Sequence, residues 1–214
     1  MKLFFVIFLI GLSGALTAQN AAPRDGKLQT FTSPDGSFQF KHSELLIHCE
    51  QRAQPGGFAW IQNECSAYFS TCDEGIGLDQ KTTIIACFAY PRNKHANTRA
   101  FEAATFSVAR VDSAVDGRGC VSPVLDRVDS KEGTIRIGGV AFAKFETGSV
   151  GLSQGVDANV YRAWHGTKCY QLTIAAAMAN AKVFDPPERE LTKEDWAEVH
   201  IKLNQARDTF RFLK

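Results

Sequence analysis

Six cysteines behind an apolar leader constrain this chain more than any other feature. Met1-Lys2 precedes Leu3-Phe4-Phe5-Val6-Ile7-Phe8-Leu9-Ile10, and small residues follow to Ala18. One cation, an apolar run of about 10 residues and a small-residue exit describe a secretory signal peptide, cleaved after Ala18. The run is too short to span a membrane, which takes about 20 residues. No cysteine follows the run closely, so no bacterial lipid anchor is expected there. Cys49, Cys65, Cys72, Cys87, Cys120 and Cys169 all lie beyond it. An even cysteine count in an exported chain reads as a disulfide framework, and three bonds are expected. Cys65 and Cys72 are close enough to staple their own loop, and Cys49–Cys87 and Cys120–Cys169 are then the expected remaining pairs. No Cys-x-x-Cys occurs, so zinc thiolate chemistry is not indicated.

Residues 1–18 are thus a signal peptide, and residues 19–214 read as a single disulfide-stapled α+β domain. With Lys2 removed, the chain carries 23 charges of each sign. No cationic excess remains to neutralise phosphates, which argues against a nucleic-acid protein. The domain opens on a hairpin signal, Phe31-Thr32, Ser33-Pro34-Asp35-Gly36, Ser37-Phe38-Gln39-Phe40, in which Pro and Gly suit the turn. Leu45 to Cys49 is a short strand. Residues 51–80 lack sustained periodicity. Thr82 to Tyr90 and Thr105 to Val111 are strand-like, rich in β-branched and aromatic residues. Gly138-Gly139 sets Ile137 against Val140 and Ile135 against Phe142. Gly166-Thr167 sets Arg162 against Gln171, Trp164 against Cys169, Tyr161 against Leu172 and Ala163 against Tyr170. Large side chains on both faces of that hairpin require a sheet covered on both sides.

The end of the chain predicts a helix. Thr192 and Asp195 form a capping pair, and Trp196, Val199, Leu203, Ala206 and Phe210 share one face at helical spacing. Glu198 and Lys202 lie opposite, at ion-pair spacing. Ile201 falls off the stripe.

The opening Phe31-to-Phe40 segment, the Val140–Phe145 and Tyr161–His165 strands, Lys168-Cys169-Tyr170-Gln171-Leu172 and the closing Ala206–Phe212 together resemble the PsbP-like family, closest to its small secreted bacterial members with cysteines added. The resemblance implies an antiparallel sheet sandwiched between helical layers, with the C-terminal helix packed on the sheet. It also implies a non-catalytic binding or assembly subunit. It supplies no functional residue.

Gly151-Leu152-Ser153-Gln154-Gly155 matches the Gly-x-Ser-x-Gly elbow of serine hydrolases, which places the nucleophile on a strand-to-helix turn. Here a strand pattern follows, and Asp157 and His165, the imaginable partners, stand most of a strand apart. The five histidines, His42, His48, His95, His165 and His200, show no metal spacing. Arg92, Lys94, His95 and Arg99 form a small basic cluster. Asp73, Glu74 and Asp79 hint at calcium without the ligand alternation of an EF-hand. Arg162, Trp164 and Gln171 share one sheet face and are the candidate binding residues. The chain therefore reads as a secreted or periplasmic binding module that is not an enzyme. It needs no metal or cofactor, carries no membrane anchor after signal cleavage, and has an unidentified protein or envelope component as partner. The alternative is a small secreted hydrolase using Ser153 or a metal-dependent site.

Overall fold

The computed structural model describes residues 26–54, 57–60, 65, 72, 82–122, 129–151 and 153–213. The expected signal peptide and the acidic residues Asp73, Glu74 and Asp79 lie outside them. The strands are β1 (Leu28–Thr32), β2 (Phe38–Ser43), β3 (Ile47–His48), β4 (Gln51–Gln54), β5 (Gly57–Trp60), β6 (Thr82–Ala89) and β7 (Phe101–Val111), then β8 (Asp129–Ile137), β9 (Val140–Val150), β10 (Gln154–His165), β11 (Lys168–Ala179) and β12 (Arg211–Phe212). The helices are α1 (Gly117–Val121) and α2 (Lys193–Asp208). A seven-stranded antiparallel sheet runs β3-β6-β7-β11-β10-β9-β8, a three-stranded one β1-β2-β12, and β4 pairs with β5 alone. The last pair gives part of the 51–80 stretch a regularity that periodicity did not predict.

Helical layers on both faces of a sheet are not what this chain builds. Among the described residues it is mostly strand, with two short α-helices. The front face of the large sheet is covered by β2 and α2 side by side, so half of the expected helical layer is a second sheet. On the back face the helix is α1, whose five residues include two glycines. A helix that short and glycine-rich has little stability of its own and depends on packing.

The hairpins follow the expected register. Gly138 and Gly139 have φ of 55° and 84°, the left-handed pair that a two-residue turn requires, and Ile137 faces Val140. Gly166 has φ 61°, and Arg162 pairs with Gln171, Trp164 with Cys169 and Tyr161 with Leu172. Alternation then sends Tyr161, Leu172, Ile174 and Phe106 to the front and Arg162, Gln171, Thr173 and Ser107 to the back.

Phe38 and Phe40 on β2 are buried against this front face. The Phe40 ring meets Phe88 at 5.3 Å and Phe106 at 5.1 Å, both edge-on, the geometry the ring quadrupoles favour. Each fully buried ring contributes roughly 1.5–3 kcal/mol relative to exposure. Helix α2 carries a complete capping box: Asp195 N–H donates to Thr192 Oγ1 and Thr192 N–H donates to Asp195 Oδ2. The expected stripe is seated, with Val199, Leu203 and Ala206 buried. Phe210 is also buried but lies two residues past the helix end. Of the residues expected opposite the stripe, Glu198 accepts from the Tyr90 hydroxyl at 3.0 Å, and Lys202 is buried.

The disulfides are Cys49–Cys65, Cys72–Cys87 and Cys120–Cys169. Two expected pairs, Cys49–Cys87 and Cys65–Cys72, are therefore corrected. Cys49 and Cys87 are neighbours across β3 and β6, with Cys49 N–H donating to the Cys87 carbonyl at 2.8 Å. Each nonetheless takes a loop cysteine as its partner. This ties the long connection to the sheet at two points, closing separations of 16 and 15 residues. A loop of about 15 residues closed in this way stabilises by about 3 kcal/mol, more than a short self-staple would. The two bonds are packed together, with the Cys49 and Cys72 sulfurs 3.5 Å apart.

Candidate functional site

The three residues singled out on the hairpin separate into two environments. Arg162 is fully buried, and its Nε donates to Gln171 Oε1 at 2.9 Å. Gln171 in turn donates from Nε2 to Thr173 Oγ1 at 3.1 Å. The two amino nitrogens of Arg162 are buried and have no hydrogen-bond partner among the described residues, and burial pulls the guanidinium down to about 10. Trp164 is not part of this relay. Its ring packs with the Cys120–Cys169 bond and lies over Gly117, where a Cβ would stand 3.4 Å from the indole.

Ser153 occupies the turn between β9 and β10, and β10 begins at the next residue. Its carbonyl accepts from Asn180 N–H at 2.7 Å, and Gly151 N–H donates to Gln154 at 2.7 Å. The turn is a hairpin and not a nucleophile elbow. Asp157 and His165 sit eight positions apart on one straight strand, about 26 Å at the usual rise. They do not converge.

Most of the histidines pack as aromatic surfaces. His42 and His48 lie against Phe88 at 4.4 and 4.7 Å, and His165 stacks on Phe212 at 3.8 Å. His95 stacks on Tyr90, its Nδ1 3.9 Å from the Asp195 carboxylate. Of the basic cluster, Arg92, Lys94 and His95 share one short turn, whereas Arg99 pairs with Glu188 at 2.6 Å and covers the Phe184 ring. Among the described residues the one grouping with metal-like spacing is Cys49, Cys72 and Cys87, and all three are in disulfides.

Sequence reasoning missed an open groove along the front face. Its first half, about 390 Å³, is walled by Val150 and Gln154 from the β9–β10 tip, Met178 and Asn180 from the end of β11, and Leu191 and Trp196 from the entry to α2. Its second half, about 250 Å³, continues over Ile174 and Ala176, with Asp157 and Asn159 on one side and His200 on the other. Met178 and Trp196 belong to both halves. The indole is held edge-on against Phe101 at 6.0 Å, with the His200 ring 5.9 Å away.

The chemistry of the walls is one-sided. Glu190 lines the first half and Asp157 the second, and among the described residues neither wall includes a lysine or arginine. Behind the first half, Glu102 accepts from Gln154 Nε2 at 2.8 Å through one oxygen, while its other oxygen is buried without a partner. The groove is an apolar trough with a single polarisable ring at its junction and negative charge at its margins. No pattern in the sequence announces it, since four separate segments meet there.

No protein-family model matches this chain, and no curated protein does, so membership of the PsbP-like family is not supported by any match. Among solved structures the chain is similar to one described as "Crystal structure of LpqN involved in cell envelope biogenesis of Mycobacterium tuberculosis". The likeness has a TM-score of 0.36 at 8% identity, and covers 64% of this chain and 82% of that one. A likeness that distant carries no functional argument. The three disulfides fit an extracellular or envelope location. Among the described residues no helix is long and apolar enough to cross a membrane.

Proposed function

We propose that this is an exported, non-catalytic binding module whose ligand lies in the Trp196 groove, and that the ligand is an amphipathic molecule with a cationic end. The observation that carries the reading is the shared Trp196–Met178 junction, flanked by two carboxylates and, among the described residues, by no lysine or arginine. The two cavities together fall within the size range of small-molecule sites, about 300–1,000 Å³. An alkyl body suits the Ile174, Met178 and Leu191 walls, and a cation finds both the indole face and the acidic margin. A partner that is a protein or envelope component would present the same chemistry through an apolar segment ending in a cationic group.

Octyltrimethylammonium, octyl sulfate and octyl glucoside share a tail and differ in head charge, which makes them the test. Titrated below their aggregation thresholds into the oxidised protein, with calorimetry as the readout, the ammonium amphiphile should bind most tightly. Trp196→Ala, and Met178→Trp to fill the junction, should each weaken it about tenfold or more. Equal binding of all three heads, or binding untouched by both substitutions, would refute the assignment.

A further inference from the structure

The buried guanidinium of Arg162 lies on the opposite face of the large sheet from the groove. Arg162 projects from β10 to the back, whereas the groove residues Asp157, Asn159, Ile174 and Met178 project to the front. The cross-strand neighbours of Arg162 are Ala143 on β9 and Gln171 on β11, and Ala109 on β7 follows Gln171. Gln171 fixes the orientation of the guanidinium by taking its Nε–H, and Thr173 fixes Gln171. What is left over is the fork, Nη1 and Nη2, buried with no hydrogen-bond partner among the described residues. Among the described residues no carboxylate pairs with it.

An arginine is charged throughout the neutral range, so its buried amino groups cannot shed their demand for acceptors by losing a proton. Leaving a charge both desolvated and unpaired is strongly destabilising, and folded proteins leave very few such groups. A guanidinium fork presents parallel N–H bonds that match the two oxygens of a carboxylate or of a comparable oxyanion. The Nε–Gln171–Thr173 relay amounts to a support for that fork.

We propose that Arg162 is the seat of a small oxyanion of the carboxylate type, bound bidentate through Nη1 and Nη2 inside the back layer of the protein. The anion would complete the core on that face, and its binding would be coupled to folding.

The experiment is thermal unfolding of the full oxidised chain at neutral pH in increasing sodium formate, with sodium chloride at equal ionic strength as the baseline. Formate should raise the midpoint along a saturating curve, by about 5–10 °C at a hundredfold excess over its Kd. Arg162→Met removes the charge at similar volume, and should abolish the formate response while leaving the anion-free protein at least as stable as the parent. Gln171→Glu supplies a carboxylate beside Nε, and should also abolish the response. It carries the test should Arg162→Met fail to fold. Identical curves in formate and chloride, or a formate response retained in either variant, would overturn the proposal.

Discussion

Gly138 offers a test of how the C-terminal segment is held. It occupies the first left-handed position of the β8–β9 turn, with φ 55°. A Cβ built there would overlap the Phe210 carbonyl oxygen and stand 2.9 Å from Arg211 Cα. Both are backbone atoms of the segment that carries Phe210 into the core, so neither can swing aside as a side chain would. Gly139, with φ 84°, has nothing within 4 Å of its Cβ position. The two substitutions therefore separate two effects. Gly139→Ala should show backbone strain alone, about 1–2 kcal/mol. Gly138→Ala should add the displacement of a packed backbone, a further about 1–3 kcal/mol. Equilibrium urea unfolding of both variants, disulfides intact, should give unchanged slopes and a clearly lower midpoint for Gly138→Ala. Equal midpoints would show that the Phe210–Arg211 backbone does not lean on this turn.

Four further outcomes are expected. Burial holds His42 below its ordinary value, with the nearby His48 acting the same way and the Ser43 carbonyl opposing. Because the unfolded chain takes up that proton more readily, stability should be full above about pH 6.5 and fall as the pH drops below it. His42→Phe should flatten the dependence seen by thermal melts between pH 7 and 5, and an unchanged slope would assign it to other groups. Phe210→Ala should lose about 3–5 kcal/mol in the same urea assay, whereas Thr192→Ala, which removes one cap, should lose about 1 kcal/mol; comparable losses would contradict the burial pattern. Alkylation without reduction should add no mass, and peptide mapping should recover Cys49–Cys65 and Cys72–Cys87, with Cys49–Cys87 as the contrary result. A fluorophosphonate probe should leave folded protein unlabelled at Ser153; labelling lost in Ser153→Ala would restore the hydrolase.

The parts of this fold legible in the sequence are those governed by neighbours in the chain. Gly138-Gly139 and Gly166-Thr167 set registers that place Arg162 beside Gln171 and Trp164 beside Cys169. The Thr192–Asp195 cap and the Val199–Leu203–Ala206 stripe are equally local. What escaped depends on distant segments. The layer over the front face is a small sheet as much as a helix, because β2 recruits a strand from the far end of the chain. The disulfides answer to where Cys65 and Cys72 come to lie against Cys49 and Cys87, which spacing does not encode. The register alone placed Arg162 next to Gln171, but the unsatisfied fork shows only once the third dimension is present. The Trp196 groove had no local signature at all, since Val150, Met178, Leu191 and Trp196 meet only after the hairpins close.

Strand β2 lies between β1, its immediate predecessor, and β12. The Lys41 amide donates to Thr209 Oγ1 across 168 positions, and Leu213 N–H donates to the Ser37 carbonyl. Such long closures are entropically expensive and slow. A chain emerging N-terminus first, from a ribosome or from a translocation pore, exposes β2 long before residues 209–213 arrive. Until then Phe38 lacks the Phe210 ring that sits 5.2 Å from it in the finished core, and the small sheet is a two-stranded hairpin of marginal stability. Closure of the small sheet is thus deferred until residues 209–213 have emerged, and β12 works as a clasp on the layer over the front face.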